Sequence, residues 1–478
     1  MFFERTYQAH IIQEELERSA NTHHNQSKET GIVRLLRNKA IAYLVVFLET
    51  SSIHGLNHLV ATGRHVFEIL LWLTMVILSV FGSVYLSQTT WFRYQSSPTV
   101  VSMDRDMFAW NTTFPCVTIC PHTRFDEKKL DVFVKTSTVE NKTALESFIR
   151  KLANFTYRNF EDLPDSDLID PNEYLKILVS LAAPFGPTLT IGASGINLKI
   201  QPTITEMGLC YAVNSKVAEY NSPAYRDANR WDDIKLQNDT FFVHPLDGEV
   251  FAQVINLSTA YDVYIHGPLE VPDISTKFQV SEQDFYMKIY VTALTVYTSP
   301  EAAKLTVAQR RCRFLHENVL KHNAVYTYTM CRMECRIRLC LKYCGCIPYF
   351  YRRIGDETIC GVSGMRCLAE YKGQLYKLES GKNKKISCGC FPICDDVNYV
   401  IQSSVLQPWF LGTNLQWGIV TYPRMRYRRD IIFGFTDVLV AVGSMAGLFL
   451  GCSVLSFMEI VYFLTLRLFF YTHDAITK

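Results

Sequence analysis

The 478-residue chain has no cysteine before Cys116 and none after Cys452, no surplus of either charge, and no histidine within its densest cysteine cluster. Each absence excludes something. Lys and Arg number 48 against 46 acids, so the basic excess that would point to nucleic acid is missing. No G-x-S-x-G, H-E-x-x-H or P-loop occurs, and the chain is read as a non-enzyme without a cofactor. A cysteine cluster free of histidine, in an oxidising compartment, argues against zinc and for disulfides. The N-terminus, MFFERTYQAHIIQEELERS, has no apolar run beside its basic residues, which argues against a cleaved signal peptide.

Two stretches are apolar enough to cross a bilayer. Val66–Leu86 carries one charge, Glu68, and spans about 32 Å as a helix. The second runs from Ile431 to about Leu466, with nothing ionisable between Asp437 and Glu459. It exceeds what a straight crossing needs, so a tilt or a break is expected. The expectation is a two-pass membrane protein: two transmembrane α-helices and a large disulfide-rich α+β extracellular domain.

Cysteine sets the topology. Fourteen of fifteen cysteines lie between Cys116 and Cys394, between the spans. That places the middle outside the cell and both termini in the cytosol, at the plasma membrane. Sequons at Asn111, Asn141, Asn154, Asn238 and Asn256 fall in the same region as N-glycosylation candidates. Basic residues agree in part: Arg34, Arg37, Lys39 and Arg64 precede the first span, but Arg424, Arg426, Arg428 and Arg429 sit on the outer side of the second. The expected segments are a cytosolic 1–65, a helix 66–86, an extracellular 87–430, a helix 431–466 and a cytosolic tail 467–478.

Within 1–65 the run IAYLVVFL (41–48) is too short to span, and reads as a strand, a membrane-surface element or part of a re-entrant structure. FPCVTIC (114–120) and FYMKIYVTALTVY (285–297) read as strands, and LESFIRKLANFTYRNF (145–160) as a helix. The acidic EDLPDSDLIDP (161–171) reads as a solvated loop rather than a cation site.

Three constellations carry the chemistry. In the second span Gly443, Gly447 and Gly451 share a helix face, which close helix packing would explain. Gly451-Cys452-Ser453, however, puts small and hydroxyl residues at mid-membrane, where a broken helix could offer carbonyls to an ion. Asp437 and Glu459 bracket that span as pore-mouth acids able to attract cations. The cluster from Cys331 to Cys394 reads as disulfides stiffening a narrow stalk that lacks volume for a large core. Ser52-Ile53-His54-Gly55 alone reads as a turn.

Together, His54-Gly55, FPCVTIC, TEMGLCYAVN (205–214), the cysteine cluster and GLFLGCSVLSFMEIVYFLTLR (447–467) resemble the degenerin and epithelial sodium channel family, most closely its insect pickpocket branch. The resemblance implies a trimeric channel, sodium-selective, amiloride-sensitive and voltage-independent, with Na+ as permeant ion. It implies that Gly451, Cys452 and Ser453 form the selectivity belt and that His54 and Gly55 form a gating motif on a re-entrant segment. By the same resemblance Gly447 stands at a position tied to amiloride block, and Val440 at a gating position where bulk holds the pore open. Ala441 replaces an aspartate of acid-sensing members, so proton gating is not implied. The family pattern implies Cys120–Cys210, Cys312–Cys394, Cys331–Cys390, Cys335–Cys388, Cys344–Cys367 and Cys346–Cys360. Cys116 and Cys340 have no family partners, and their pairing with each other stays open. The implied partners are membrane lipid and related subunits in a homo- or heterotrimer; neither the stimulus nor an extracellular ligand is legible. The alternative is a two-pass receptor or adhesion protein without a pore.

Overall fold

A computed structural model describes residues 39–61, 63–160, 163–191, 198–232, 234, 241–379 and 384–477. Most of the N-terminal segment, and the sequon at Asn238, lie outside these residues. The helices used below are α1 (39–50), α2 (Val66–Ser96), α3 (Glu127–Thr136), α4 (Lys142–Asn154), α5 (Tyr174–Leu181), α6 (Tyr328–Cys344), α7 (Val362–Glu370), α8 (Lys372–Lys377), α9 (Phe435–Leu450), α10 (Val454–Tyr462) and α11 (Leu468–Thr477). The chain divides into a terminal unit, up to Pro98 and from Phe433 onward, and a central unit, Thr99–Ile432.

The central unit contains two main sheets. One runs β1 (Thr99–Asp104), β14 (Arg426–Ile431), β11 (Phe285–Thr298), β13 (Thr413–Ile419), β8 (Val250–Leu257) and β4 (Thr188–Ile191), with β12 (Asp396–Pro408) also paired to β11. The other runs β10 (Gln279–Ser281), β9 (Tyr261–His266), β3 (Cys116–Pro121), β6 (Gly208–Val213) and β5 (Ile200–Thr205). On β11, Met287, Ile289, Val291 and Ala293 are buried at period two, as a half-buried strand requires. Met287, Ile289 and Val291 share an apolar cluster with Leu415 and Trp417 of β13 and with Val117 and Ile119 of the second sheet. The two sheets therefore bury one core between them.

A second core belongs to the helices. Phe148, Ile149 and Leu152 of α4 and the following Phe155 are buried, the helical spacing read from the sequence. They join Met333, Ile337 and Leu339 of α6 and Val362, Met365 and Leu368 of α7 in one cluster. Cys340, Cys346 and Cys360 are buried in it too. The cysteine-rich region is thus not a stalk without room for a large core, because α6 packs on α7 and α8 and its apolar residues join the cluster that includes α4. The structure holds six disulfides: Cys120–Cys210, Cys312–Cys394, Cys331–Cys390, Cys335–Cys388, Cys344–Cys367 and Cys346–Cys360. Cys331 and Cys335, one turn apart on α6, tie the same return segment. Cys116 and Cys340 are free and not bridged to each other: the Cys116 thiol donates to Asn214 O at 3.0 Å, and Cys340 Sγ lies 3.3 Å from the Tyr157 hydroxyl.

Three of the four arginines before the second span, Arg426, Arg428 and Arg429, belong to β14. Arg426 pairs with Asp104 on β1 at 3.1 Å and Arg428 with Asp430 at 2.8 Å, so they are strand residues of a folded unit rather than loop charge. The acidic stretch is not merely solvated. Asp167 accepts from the Tyr174 hydroxyl (2.7 Å) and from Val362 N at the start of α7 (2.9 Å), and Asp170 accepts from Asn172 N. Among the sequons Asn111, Asn141, Asn154 and Asn256 are exposed. Asn141 caps α4 through Oδ1, accepting from Ala144 N at 3.0 Å.

In the terminal unit, 41–48 belongs to helix α1 and not to a strand. α2 continues to Ser96 rather than stopping at Leu86. Thr89 and Thr90 bond back to Tyr85 O and Leu86 O, so its polar end still holds a helix, until Pro98 disfavours helix in the residue before it. Phe67, Leu71, Leu78 and Phe81 of α2 are exposed, the outer surface of a helix made for hydrocarbon.

Candidate functional site

The second apolar segment is not one helix. α9 ends at Leu450, Gly451 adopts φ +62°, and α10 begins at Val454. Sixteen residues of α9 reach only about 24 Å, short of a ~30 Å hydrocarbon core. Local chemistry causes the break. Glycine takes the left-handed conformation without a Cβ penalty and closes α9, its N–H donating to Gly447 O at 3.0 Å. Ser453 then opens α10, its Oγ accepting from Ser456 N (3.2 Å) while Ser456 Oγ accepts from Ser453 N (3.1 Å). Among the described residues, no backbone amide bonds to the carbonyls of Gly451 or Cys452.

The segment after α1 docks on this break. His54 N donates to Leu450 O at 3.0 Å. Ser52 N and Oγ donate to Glu459 Oε2 at 3.1 and 2.6 Å, and the Ser52 hydroxyl lies 2.8 Å from that of Ser456. A Cβ on Gly451 would collide with Nδ1, Cγ and Cε1 of the His54 imidazole. Gly55, at φ +92°, turns the chain against α2, where a Cβ would sit 3.0 Å from Val76 Cγ2. The Tyr43 hydroxyl on α1 donates to Phe463 O, in the π turn Phe463–Arg467 that joins α10 to α11.

Of the residues singled out from sequence, His54, Gly55, Gly451, Ser453 and Glu459 therefore meet in one place. Cys452 sits in the break, its N–H reaching Ala446 O at 3.3 Å. Asp437 is elsewhere, in the first turn of α9, accepting from Gly434 N at 2.8 Å and matching the positive helix end. Val440 is exposed, Gly443 faces open space, and a Cβ on Gly447 would stand 3.6 Å from Cys452 O. The glycine stripe does not pack α9 on α2 within the chain. That contact is made by Gly82 of α2 against the Phe449 ring, 3.0 Å from where a Cβ would be. Sequence reasoning gives Ser456 no role and Ser52 only a place in the turn before Gly55, although the S-x-x-S spacing of Ser453 and Ser456 is a readable helix-start signal.

Comparison with known proteins agrees over most of the chain. The family model described as amiloride-sensitive sodium channel matches residues 47–463. Sodium channel protein Nach of Drosophila melanogaster is 24% identical, covering 88% of this chain and 86% of its own length. Pickpocket protein 28 of the same species is 24% identical over 89% of this chain and 78% of its own length. Acid-sensing ion channel 4 of Rattus norvegicus is 23% identical over 87% and 78%. A six-disulfide chain with two apolar segments, matched from residue 47 to residue 463, belongs to the amiloride-sensitive sodium channel, or degenerin and epithelial sodium channel, family.

Proposed function

We propose that the chain is one subunit of a trimeric, voltage-independent, amiloride-sensitive and sodium-selective channel with both termini in the cytosol, opened by an extracellular or mechanical stimulus. The break at Gly451–Ser453 carries this reading. Inside a membrane, carbonyls released from a helix are tolerated where they line water, and a ring of them can replace an ion's hydration shell. His54, with Gly55 behind it, would act as a gate, because its N–H holds the end of α9 through Leu450 O while the adjoining Ser52 holds α10 through Glu459. Gly447, one turn before the break, would contribute to the amiloride site. The similarity to a protein named a sodium channel supports Na+ as the ion.

Whole-cell recording from the subunit carrying Val440→Phe tests the reading without knowledge of the stimulus. Val440 is exposed, so added bulk should disturb pore neighbours rather than the subunit's own packing. The expected outcome is a standing inward current that disappears when sodium is replaced and is blocked by amiloride. A surface-expressed subunit that stays silent alone and with related subunits would leave the pore-less receptor reading.

A further inference from the structure

The central unit contains a cavity of about 270 Å³ between the turn Pro171–Glu173, the short helix Pro223–Asp227 and the segment after α6. Three arginines, Arg226, Arg352 and Arg353, line it. Arg226 donates to Phe350 O (2.6 Å) and Asn221 Oδ1 (2.9 Å), and its Nε is buried without a partner. Arg352 donates to Arg230 O (2.6 Å) and Asn229 Oδ1 (3.2 Å) and lies on the Trp231 ring at 3.6 Å. Arg353 donates to Asn172 Oδ1 at 2.6 Å.

Every one of those acceptors is a neutral amide oxygen. Several other arginines have carboxylates: Arg336 has Glu206 and Asp273, Arg310 has Glu317, and Arg158 has Asp262, although Arg124 too donates to a carbonyl, Met207 O. Here the one acid in the lining is the exposed Asp227, which makes no ion pair among the described residues. Burial, and then the neighbouring Arg352, pull Arg226 down to about 9. A desolvated guanidinium facing only neutral acceptors is costly until an anion arrives, and its planar fork fits carboxylate or phosphate oxygens. The remaining wall is apolar. Leu175 and Ile359 contribute to it, as do the rings of Tyr349 and Tyr351, whose hydroxyls are committed to Leu152 O and Phe155 O and to Tyr157 and Glu206. The volume lies just below the ~300–1,000 Å³ of ordinary ligand pockets, which suits a small molecule.

We propose that this cavity binds a small organic oxyanion, a carboxylate or a phosphate or sulfate ester borne on a compact apolar body.

The test uses the purified full-length chain in detergent, with unfolding midpoint and titration calorimetry read against sodium chloride at constant ionic strength. Sodium benzoate probes the carboxylate source; sodium phosphate and sodium sulfate probe the other. At least one is expected to raise the midpoint saturably, and the preferred anion identifies the source. Arg226→Met risks misfolding, since Arg226 also holds Phe350 O. Arg353→Gln loses one exposed donor and is expected to weaken binding about tenfold, the worth of a charge-assisted hydrogen bond. Asn172→Asp supplies Arg353 with a built-in carboxylate; it should raise the anion-free midpoint and blunt the anion response. No saturable effect beyond chloride, or a response unchanged in both variants, overturns the proposal. The readout involves no current, so it stands or falls apart from the channel reading.

Discussion

Gly451 is the residue where backbone and side-chain demands coincide. At φ +62° any L side chain pays about 1–2 kcal/mol, and here a methyl group would also strike the His54 ring. Gly451→Ala in the Val440→Phe background should therefore abolish the sodium current while surface labelling persists; an undiminished current would show that the close fit to His54 is dispensable. The two buried thiols make a second residue-level case. Burial pushes the Cys116 and Cys340 thiols up, Cys340 to about 12, so the reactive thiolate is suppressed in the folded chain. Thiol titration of the unreduced, denatured protein should find three free groups, Cys116, Cys340 and Cys452, and in the folded protein neither Cys116 nor Cys340 should react. One free group on denaturation would mean that Cys116 and Cys340 are bridged.

Among the elements, α6 concentrates the electrostatics of the central unit. Arg336 is fully buried and holds Glu206 and Asp273 at 3.1 and 3.0 Å, while Arg332 also reaches Asp273. Arg336→Met would leave the buried Glu206 without its cation and Asp273 with Arg332 alone, at a cost of about 3–5 kcal/mol, read as a fall in the midpoint of thermal unfolding. On the opposite face of the same helix Glu334 accepts from His322 Nδ1 (2.8 Å), and Glu357 faces Nε2 (3.0 Å). Burial alone would lower His322, but the two carboxylates outweigh it and its pKa is raised; Glu334, which burial alone would raise, is lowered by the same contacts. The sign follows. A raised imidazole stabilises the fold fully below its unfolded value and loses that contribution as pH rises through the folded one, whereas Glu334 loses its contribution as pH falls through its lowered value. Stability should decline above the ordinary imidazole range, and His322→Gln should flatten that decline while costing on the order of 1.5–3 kcal/mol. A slope identical in the variant would remove His322 from the account.

For the whole molecule, membership in a family of multimeric plasma-membrane channels agrees with two exposed apolar segments flanking a disulfide-bonded α/β domain. If that domain is outside the cell, Asn111, Asn154 and Asn256, all exposed, should carry glycan, and glycosidase treatment should shift the mobility of the wild type by more than that of the triple Asn→Gln variant. Asn141 can be modified at Nδ2 without surrendering its Oδ1 cap on α4; an unshifted wild type would reverse the topology. Much of this was legible in the chain itself, because the bilayer and the oxidising compartment select on composition. A run of apolar residues, a block of cysteines and a period-two strand such as β11 are local patterns. The Gly-x-Ser break is local as well, since it needs only a residue that tolerates positive φ followed by a helix cap. Tertiary structure alone decided which distant groups meet: Ser52 with Glu459, His54 against Gly451, three arginines around one cavity whose single acid is the exposed Asp227. It also decided that α6 shares a core with α4 instead of forming a bare stalk, and that α2 runs on to Ser96. Those outcomes depend on packing between segments hundreds of residues apart, or on backbone bonds that outlast the apolar pattern, and no window of sequence contains them.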